Sequence, residues 1–486
     1  GVLWAGSDDG LIHVSRDDGK NWTNVTPSIL GNYALISILE PSRSDAGTCY
    51  VAANRYKADD TKPYLLRTTD YGATWKLITS GIPVNDYTRV IREDPNKKEI
   101  LYAGTETGIY VSFDSGEHWQ PLKLNLPLTP VHDIQIQKRE NDLVIATHGR
   151  AFWILDDLTP LYQLAEASKS KVYFYKPRPV YRKRGASYFT PTMQVGENAP
   201  TDVLLHYYFK EKPDTEITMK FFHASGDTII TYSSVKDYKG EPVKIQKEFH
   251  QDTLFLRQGL LPARKGMNTF IWDTRYPESK KIESGNNALI SGSIAGPTSV
   301  PGMYKVKLYM KDSLLAEQVF ELRKDPRLQT TQEDFQKQFD LLHLISKKQS
   351  ETNDAINKIR RVTREINSNL GVIKDSAIAK NYRAISQPLL DSLKKVEEEL
   401  TQPKAVTDYD LFNYPNRLND KLAGLRESVA SADAAPTPQA YQVYDELSAK
   451  IDLQIKKMKR ILDEKLAAVN KFVEDQKLYL IKEEKN

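Results

Sequence analysis

Short apolar runs separated by turn residues dominate the first third of the chain. Leu3-Trp4-Ala5-Gly6, Tyr50-Val51-Ala52-Ala53, Leu101-Tyr102-Ala103-Gly104 and Val144-Ile145-Ala146-Thr147 repeat one order of large and small side chains. Their alanines recur roughly every 40–50 residues, the length of a four-stranded propeller blade. Three turns between them follow (Ser/Thr)-x-Asp-x-Gly-x-x-Trp, at Ser15–Trp22, Thr68–Trp75 and Ser112–Trp119. The aspartate of such a turn accepts backbone N–H groups, the glycine takes a positive φ, and the tryptophan opens the next strand with a ring that packs between sheets. Trp22, Trp75 and Trp119 are therefore expected to be buried, and Asp70→Ala to destabilise the fold rather than remove an active-site group.

Read strand by strand, the chain enters at a second strand (Val2–Gly6) and passes through two full blades, with an insertion around Lys57–Pro63. It ends on first, second and third strands at Ile134–Gln137, Leu143–Thr147 and Phe152–Leu155. About three and a half blades in residues 1–165 cannot close a ring, because each blade buries its faces only against its neighbours. The expectation is an open propeller whose missing blades, and one missing outer strand, come from an upstream part of the same protein.

The periodicity then changes twice. Residues 171–325 carry alternating runs, Val203–Phe209, Ile217–Phe222, Thr269–Trp272 and Tyr304–Met310, which predict a β-sandwich. Ser284–Pro301 between them is rich in Gly and Ser and reads as a loop. From about 330 to 480 the spacing is three and four: Phe335, Phe339, Leu342, Ile345, Ile356, Ile359 and Ile366, then Tyr444, Ile451, Ile455, Met458, Leu462, Val469 and Phe472. Shorter helices are predicted over Tyr382–Leu400 and Pro415–Ala430, with Pro415 in a first turn, giving an antiparallel helical bundle. Tyr409, Phe412 and Tyr414 crowd a loop between helices and mark a contact site.

Composition narrows the chemistry. The 68 basic and 64 acidic residues nearly cancel, so no basic surface argues for nucleic acid. No apolar run is long enough to span a membrane. The single Cys49 cannot form an internal disulfide. His13, His118, His132 and His148 lack metal-ligand spacing, and no glycine loop could cradle a phosphate, so no cofactor or metal is expected.

At the three turns and at Ala146-Thr147-His148-Gly149-Arg150-Ala151-Phe152-Trp153-Ile154-Leu155-Asp156-Asp157, the chain resembles the bacterial sortilin-like or BNR (Asp-box) repeat "glycosyl hydrolase" proteins. Gly266–Asp273 and Pro301–Val306 resemble paired signatures of immunoglobulin-like modules in secreted proteins. The resemblance implies a secreted, periplasmic or cell-surface protein built from an incomplete Asp-box β-propeller, an immunoglobulin-like β-sandwich and an α-helical bundle. Because that group holds enzymes and receptors alike, the fold does not assign chemistry. A propeller-based binding or scaffold protein for a peptide or glycan, without catalysis, is one reading. A glycoside hydrolase acting across the propeller channel is the other.

The turn aspartates are structural in either case. His148 and Arg150 follow an inner strand, where Arg150 can offer a forked donor to a carboxylate, unless it pairs with Asp156 or Asp157 and only fastens the last blade. Trp153 is a candidate sugar platform or blade-core residue. A glycosidase needs two opposed carboxylates. Glu106, Asp133, Asp156 and Asp157 are available, and no spacing marks a pair, so the catalytic residues stay unknown.

Overall fold

The computed structural model describes residues 1–183, 202–235, 260–283, 292–405, 410 and 413–476. Two compact units divide the chain, Gly1–Lys169 and Ser170–Asn486.

In the first unit four antiparallel sheets follow one another. They are β1(Leu3–Gly6)–β2(Ile12–Ser15)–β3(Thr23–Asn24), β4(Leu35–Pro41)–β5(Cys49–Arg55)–β6(Asp60–Thr68)–β7(Lys76–Leu77), β8(Thr88–Glu93)–β9(Leu101–Thr105)–β10(Ile109–Ser112)–β11(Gln120–Pro121) and β12(Val131–Gln137)–β13(Asp142–Thr147)–β14(Phe152–Leu155). Strands pair in chain order within each sheet. β4, β8 and β12 lie side by side as first strands, the arrangement of a β-propeller. A separate apolar core fills each gap between sheets: Ile12, Leu30 and Val51 in the first, Tyr50, Leu65 and Ile91 in the second, Val90, Tyr102 and Ile134 in the third. The small residues of the second strands let the next sheet close in. A Cβ on Gly104 would stand 2.6 Å from the Val131 carbonyl oxygen.

The three repeated turns are superposable in their bonding. The glycine N–H donates to the leading hydroxyl, Gly19 to Ser15 at 2.8 Å, Gly72 to Thr68 at 2.9 Å and Gly116 to Ser112 at 2.8 Å. That hydroxyl donates to the aspartate, and the aspartate accepts the N–H four residues on. The N–H of Asn21 pulls the Asp17 carboxyl down to about 2, and the Thr74 hydroxyl holds Asp70 below the usual carboxylate range. Both carboxylates sit near the surface, so the protected element of the turn is the hydroxyl.

The tryptophans differ from the expectation of three buried rings. Trp119 is 5% exposed, Trp75 half-buried and Trp22 45% exposed. The rings of Trp119 and Trp75 pack against the sheet before their own. Trp119 Nε1 donates to the Ile78 carbonyl and Trp75 Nε1 to that of Val25, whereas Trp22 Nε1 turns back to Gly19 of its own turn. Among the described residues no sheet precedes β1, so Trp22 has nothing to pack on.

The chain leaves the fourth sheet through two one-turn helices, α1(Thr159–Tyr162) and α2(Leu164–Ala167). Leu158 N–H bonds to Asn141, and the Tyr162 and Tyr102 hydroxyls both donate to Asp94, at 2.8 and 3.1 Å.

In the second unit β15(Val172–Phe174), β17(Val203–Phe209) and β20(Gly266–Trp272) form one sheet. β16(Val180–Arg182), β22(Ser313–Lys324), β21(Gly302–Met310), β18(Ile217–His223) and β19(Thr228–Ser233) form another, with β16 parallel to β22. Their facing apolar positions share a core in which Trp272 stacks on Phe221 at 4.4 Å. Of the expected loop, residues 284–291 lie outside the described residues, and Thr298 bridges to Arg275.

Four longer helices follow: α3(Gln332–Val372), α4(Ser376–Leu400), α5(Leu418–Ala430) and α6(Pro438–Asp475). Thr331 and Asp334 form a capping box before α3. Thr437 caps α6, where Pro438 suits the first turn. All four share a core including Ile356, Leu389, Leu422, Ile451 and Leu462. Pro415 lies ahead of α5 rather than in its first turn, with its carbonyl taken by Gln402. Tyr409 and Phe412 lie outside the described residues, and Tyr414 sits beneath Lys404. No described helix is long and apolar enough to cross a membrane.

Sandwich and helices meet at Arg182. Its Nη2 reaches Asp433 at 3.1 Å and Gln338 at 3.2 Å, and its guanidinium lies 4.7 Å from the Phe335 ring centroid. Both charged side chains are 7% exposed. Arg426 adds bonds to the Ala295 and Gly296 carbonyls.

Two expectations follow. Thr68, 1% exposed, orders its turn. Thr68→Val leaves the Gly72 N–H without its acceptor and costs about 1–3 kcal/mol in chemical denaturation, more than Asp70→Ala. Arg182→Ala strands the Asp433 carboxylate and lowers the stability of the second unit by about 3 kcal/mol. An unfolding midpoint unmoved by that change would remove the pair as a structural joint.

Candidate functional site at the rim of the sheets

The pairing registers give the first unit two distinct ends. Leu35 pairs with Asn54, Thr88 with Thr105 and Val131 with Thr147, so β4, β8 and β12 begin where β5, β9 and β13 end. This end collects the β5–β6, β9–β10 and β13–β14 turns. The hydroxyl–aspartate–glycine turns lie at the other end of the strands.

At the rim each first strand carries a β-bulge, at equivalent positions in β4 and β12 and one residue earlier in β8. Pairing skips Ser37 between Ile36 and Ile38, Arg89 between Thr88 and Val90, and His132 between Val131 and Asp133. A bulge leaves one residue outside the ladder and re-aims its side chain. Buried groups brace these positions. Thr88 Oγ1 donates toward the Ala53 and Tyr64 carbonyls at 2.9 and 3.0 Å. Asp86 accepts the Thr105, Thr107 and Tyr110 hydroxyls and thereby shapes the turn that carries Glu106. Asn54 donates to Ser37 at 2.8 Å.

The rim side chains form one cluster. Arg89 Nε donates to Glu106 Oε2 at 2.7 Å and Nη2 to the Tyr87 hydroxyl at 2.9 Å. Tyr87 stacks on Tyr56 with ring centroids 4.9 Å apart, and the Arg89 guanidinium lies over both rings. His132 meets His148 edge to face at 5.1 Å. Partial burial, with Arg89 and His148 nearby, holds the His132 imidazole below the usual histidine range, and Glu106 opposes that shift.

The structure thus brings His148 into this cluster. Its N–H bonds to Pro130 and its carbonyl accepts from Thr129, so the backbone is fixed while the ring stays exposed. Arg150 is exposed, and its side chain makes no hydrogen bond or ion pair among the described residues. The exit linker is fastened by Leu158 and Tyr162. Trp153 is placed differently. Its ring is half-buried and faces apolar space between the third and fourth sheets, beside Ile109, Leu122 and Leu126, while its Nε1 donates to the Arg150 carbonyl at 2.8 Å. Tyr56, Tyr87 and Ser37 had no motif to mark them. Polar residues recurring near the start of each first strand, Ser37, Arg89 and His132, were the available signal.

A second feature sits lower on the first strands. Glu40, Arg43, Arg92, Glu93, Pro95, Gln135 and Ile136 line a cavity of about 150 Å³. Arg92 donates to Glu40 at 3.1 Å, to Asp133 at 2.8 Å and to the Ile134 carbonyl at 2.9 Å. Glu93 accepts from the Ser42 hydroxyl and the Arg43 N–H. Burial pushes the Glu40 carboxyl up, against the pull of Arg92. Of the four carboxylates that the sequence offered, Glu106 pairs with Arg89 and Asp133 with Arg92. Asp157 is buried, with its carboxylate accepting from Thr159, and Asp156 precedes it in the exit linker. No group of three metal-ligating side chains occurs among the described residues.

No protein-family model and no curated protein matches the sequence. Among solved structures, the chain is similar to YCF48 bound to D1 peptide, at 18% identity over 32% of this chain and 48% of that one, with a TM-score of 0.26. It is also similar to the GH74 xyloglucanase of Xanthomonas campestris (20% identity, 32% and 26% covered, TM-score 0.26) and to the GH74 enzyme of Niastella koreensis (16%, 32% and 26%, TM-score 0.27). The chain spans less than half the length of each, and likenesses this low carry no argument about its function.

Glu106→Gln is expected to lower the titration midpoint of His132 further, because it removes the one carboxylate that favours the imidazolium. Ring-proton chemical shifts followed against pH check this. An unmoved or raised midpoint would show that Glu106 does not favour the imidazolium of His132.

Proposed function

We propose that this chain is part of a non-catalytic binding or scaffold protein of the sortilin-like, Asp-box group, working in a secreted, periplasmic or cell-surface setting in a bacterium. In this reading residues 1–165 are about three and a half blades of a propeller, completed by further blades of the same protein, that hold a peptide or glycan. The immunoglobulin-like sandwich of residues 171–325 and the helical bundle of 330–480 act as spacer and docking surfaces. The observation that carries the reading is that three bulged residues, Ser37, Arg89 and His132, fall at the rim that bears the His148 and Arg150 turn. Repeated bulges place side chains outside the ladder at a single rim, which a purely structural sheet edge does not require.

The second reading, a glycoside hydrolase, draws on Glu40 and Glu93, which line one cavity. Against it, Arg92 holds Glu40, and Ser42 with the Arg43 N–H holds Glu93. A general acid and a nucleophile both need free access to substrate.

Arg150→Lys keeps the charge and loses the fork. On the complete protein, presented with peptide and oligosaccharide arrays, it is expected to weaken the captured ligand about tenfold at unchanged thermal stability. Lower stability with unchanged affinity would make Arg150 a fastening residue and sink the rim as the binding face.

A further inference from the structure

We propose that the rim around His132, His148 and Arg150 receives a carboxylate of an acidic peptide and holds it more tightly as the solution becomes acidic. The proposal rests on the binding reading above and narrows its ligand to one chemistry.

The charges at the rim divide into a settled pair and an open set. Arg89, from the start of β8, is neutralised by Glu106 of the β9–β10 turn. His132 from β12 and His148 from the β13–β14 turn touch edge to face, and neither ring has a hydrogen-bond partner among the described residues. Arg150 follows two residues on, its guanidinium without a hydrogen bond or ion pair among the described residues, and the Gly149 and Arg150 N–H groups have no acceptor within the described chain. Nothing lies within 4 Å of where a Gly149 Cβ would stand, so the space in front of this turn is open.

The Arg150 guanidinium is the permanent cation of the open set. Protonating His132 and His148 adds two more charges that repel each other and Arg89, and an anion seated among them relieves that repulsion. Binding and protonation therefore favour one another. Free histidine titrates near pH 6.5, whereas peptide carboxylates stay ionised down to about pH 4. The gain falls between these limits, at about pH 5–6, and is lost as the pH rises above the histidine range.

The rim suits a peptide better than a sugar. Tyr56 and Tyr87 stack on one another, and Arg89 spans both, so neither offers a clear ring face to a pyranose. Phe152, two residues beyond Arg150, is 76% exposed and matches an apolar side chain next to an acidic one.

A labelled, end-capped peptide of alternating Glu and Leu, its Gln counterpart and an oligogalacturonide serve as probes, by fluorescence anisotropy on the full chain. The Glu peptide is expected to bind about tenfold tighter at about pH 5 than at about pH 7.5. The Gln peptide should show no gain. The double variant His132→Gln, His148→Gln should flatten the gain to under about twofold, with an unchanged melting curve confirming its fold. Equal affinity for the Glu and Gln peptides, or a gain that survives in the double variant, overturns the proposal. An acid-strengthened oligogalacturonide with no peptide binding overturns the peptide assignment and leaves the rim as the binding face. A neutral array ligand weakened by Arg150→Lys, with no acidic probe bound, likewise sinks the proposal but not the binding reading.

Discussion

The indole N–H of Trp119 on the Ile78 carbonyl, and that of Trp75 on Val25, tie each sheet to the one before it. Sheets of this size cannot bury their faces alone, and every gap between them holds its own small apolar core. The tryptophan can reach across only because its turn is rigid, with the leading hydroxyl accepting the glycine N–H and the aspartate accepting the N–H four residues on. Sheet spacing, and everything set by it, follows from that local hydrogen bonding. Trp22 shows the converse. With the same turn and no preceding sheet among the described residues, its ring lies half in solvent.

Regular spacing gives the two ends of the strands different work. One end is committed to turn carboxylates whose lone pairs are already satisfied. The other gathers bulged residues and turns whose side chains are only partly paired. A group that already accepts several short hydrogen bonds has little left for a ligand, whereas an exposed imidazole pair and an unengaged guanidinium do. The division into structural and receptive ends thus arises from where hydrogen-bond capacity has been used up.

The repeated strands, the turns and the helical stripes were legible because each is a local pattern with a fixed period. Val203–Phe209 alternates strictly and forms a strand with those limits. The bundle's buried positions follow the three-and-four spacing from Phe335 to Val469. What stayed hidden depends on neighbours. The burial of Trp22 and Trp119 differs although their turns read alike. The rim was half visible: His148 and Arg150 stood out beside Gly149, but Arg89 and His132 come to the same rim only once the bulges in β8 and β12 are seen. Trp153 read more readily as core than as platform, and only tertiary packing distinguishes the two.

β8 links these levels. Arg89 at one of its ends and Arg92 at the other belong to the same strand, three residues apart. Arg92 is mostly buried and bridges Glu40 of β4 to Asp133 of β12 while bonding the Ile134 carbonyl. A planar guanidinium fork can span two strands at fixed separation in a way a flexible ammonium cannot. Asp133 immediately follows the bulged His132, so this bridge fixes the part of β12 that sets His132 relative to Arg89. Arg92 and Glu40 of this cross-link are mostly buried in a cavity wall, whereas the rim stays open to solvent. One arginine therefore holds the first strands in register while the other, with its histidine neighbours, stays at the open rim.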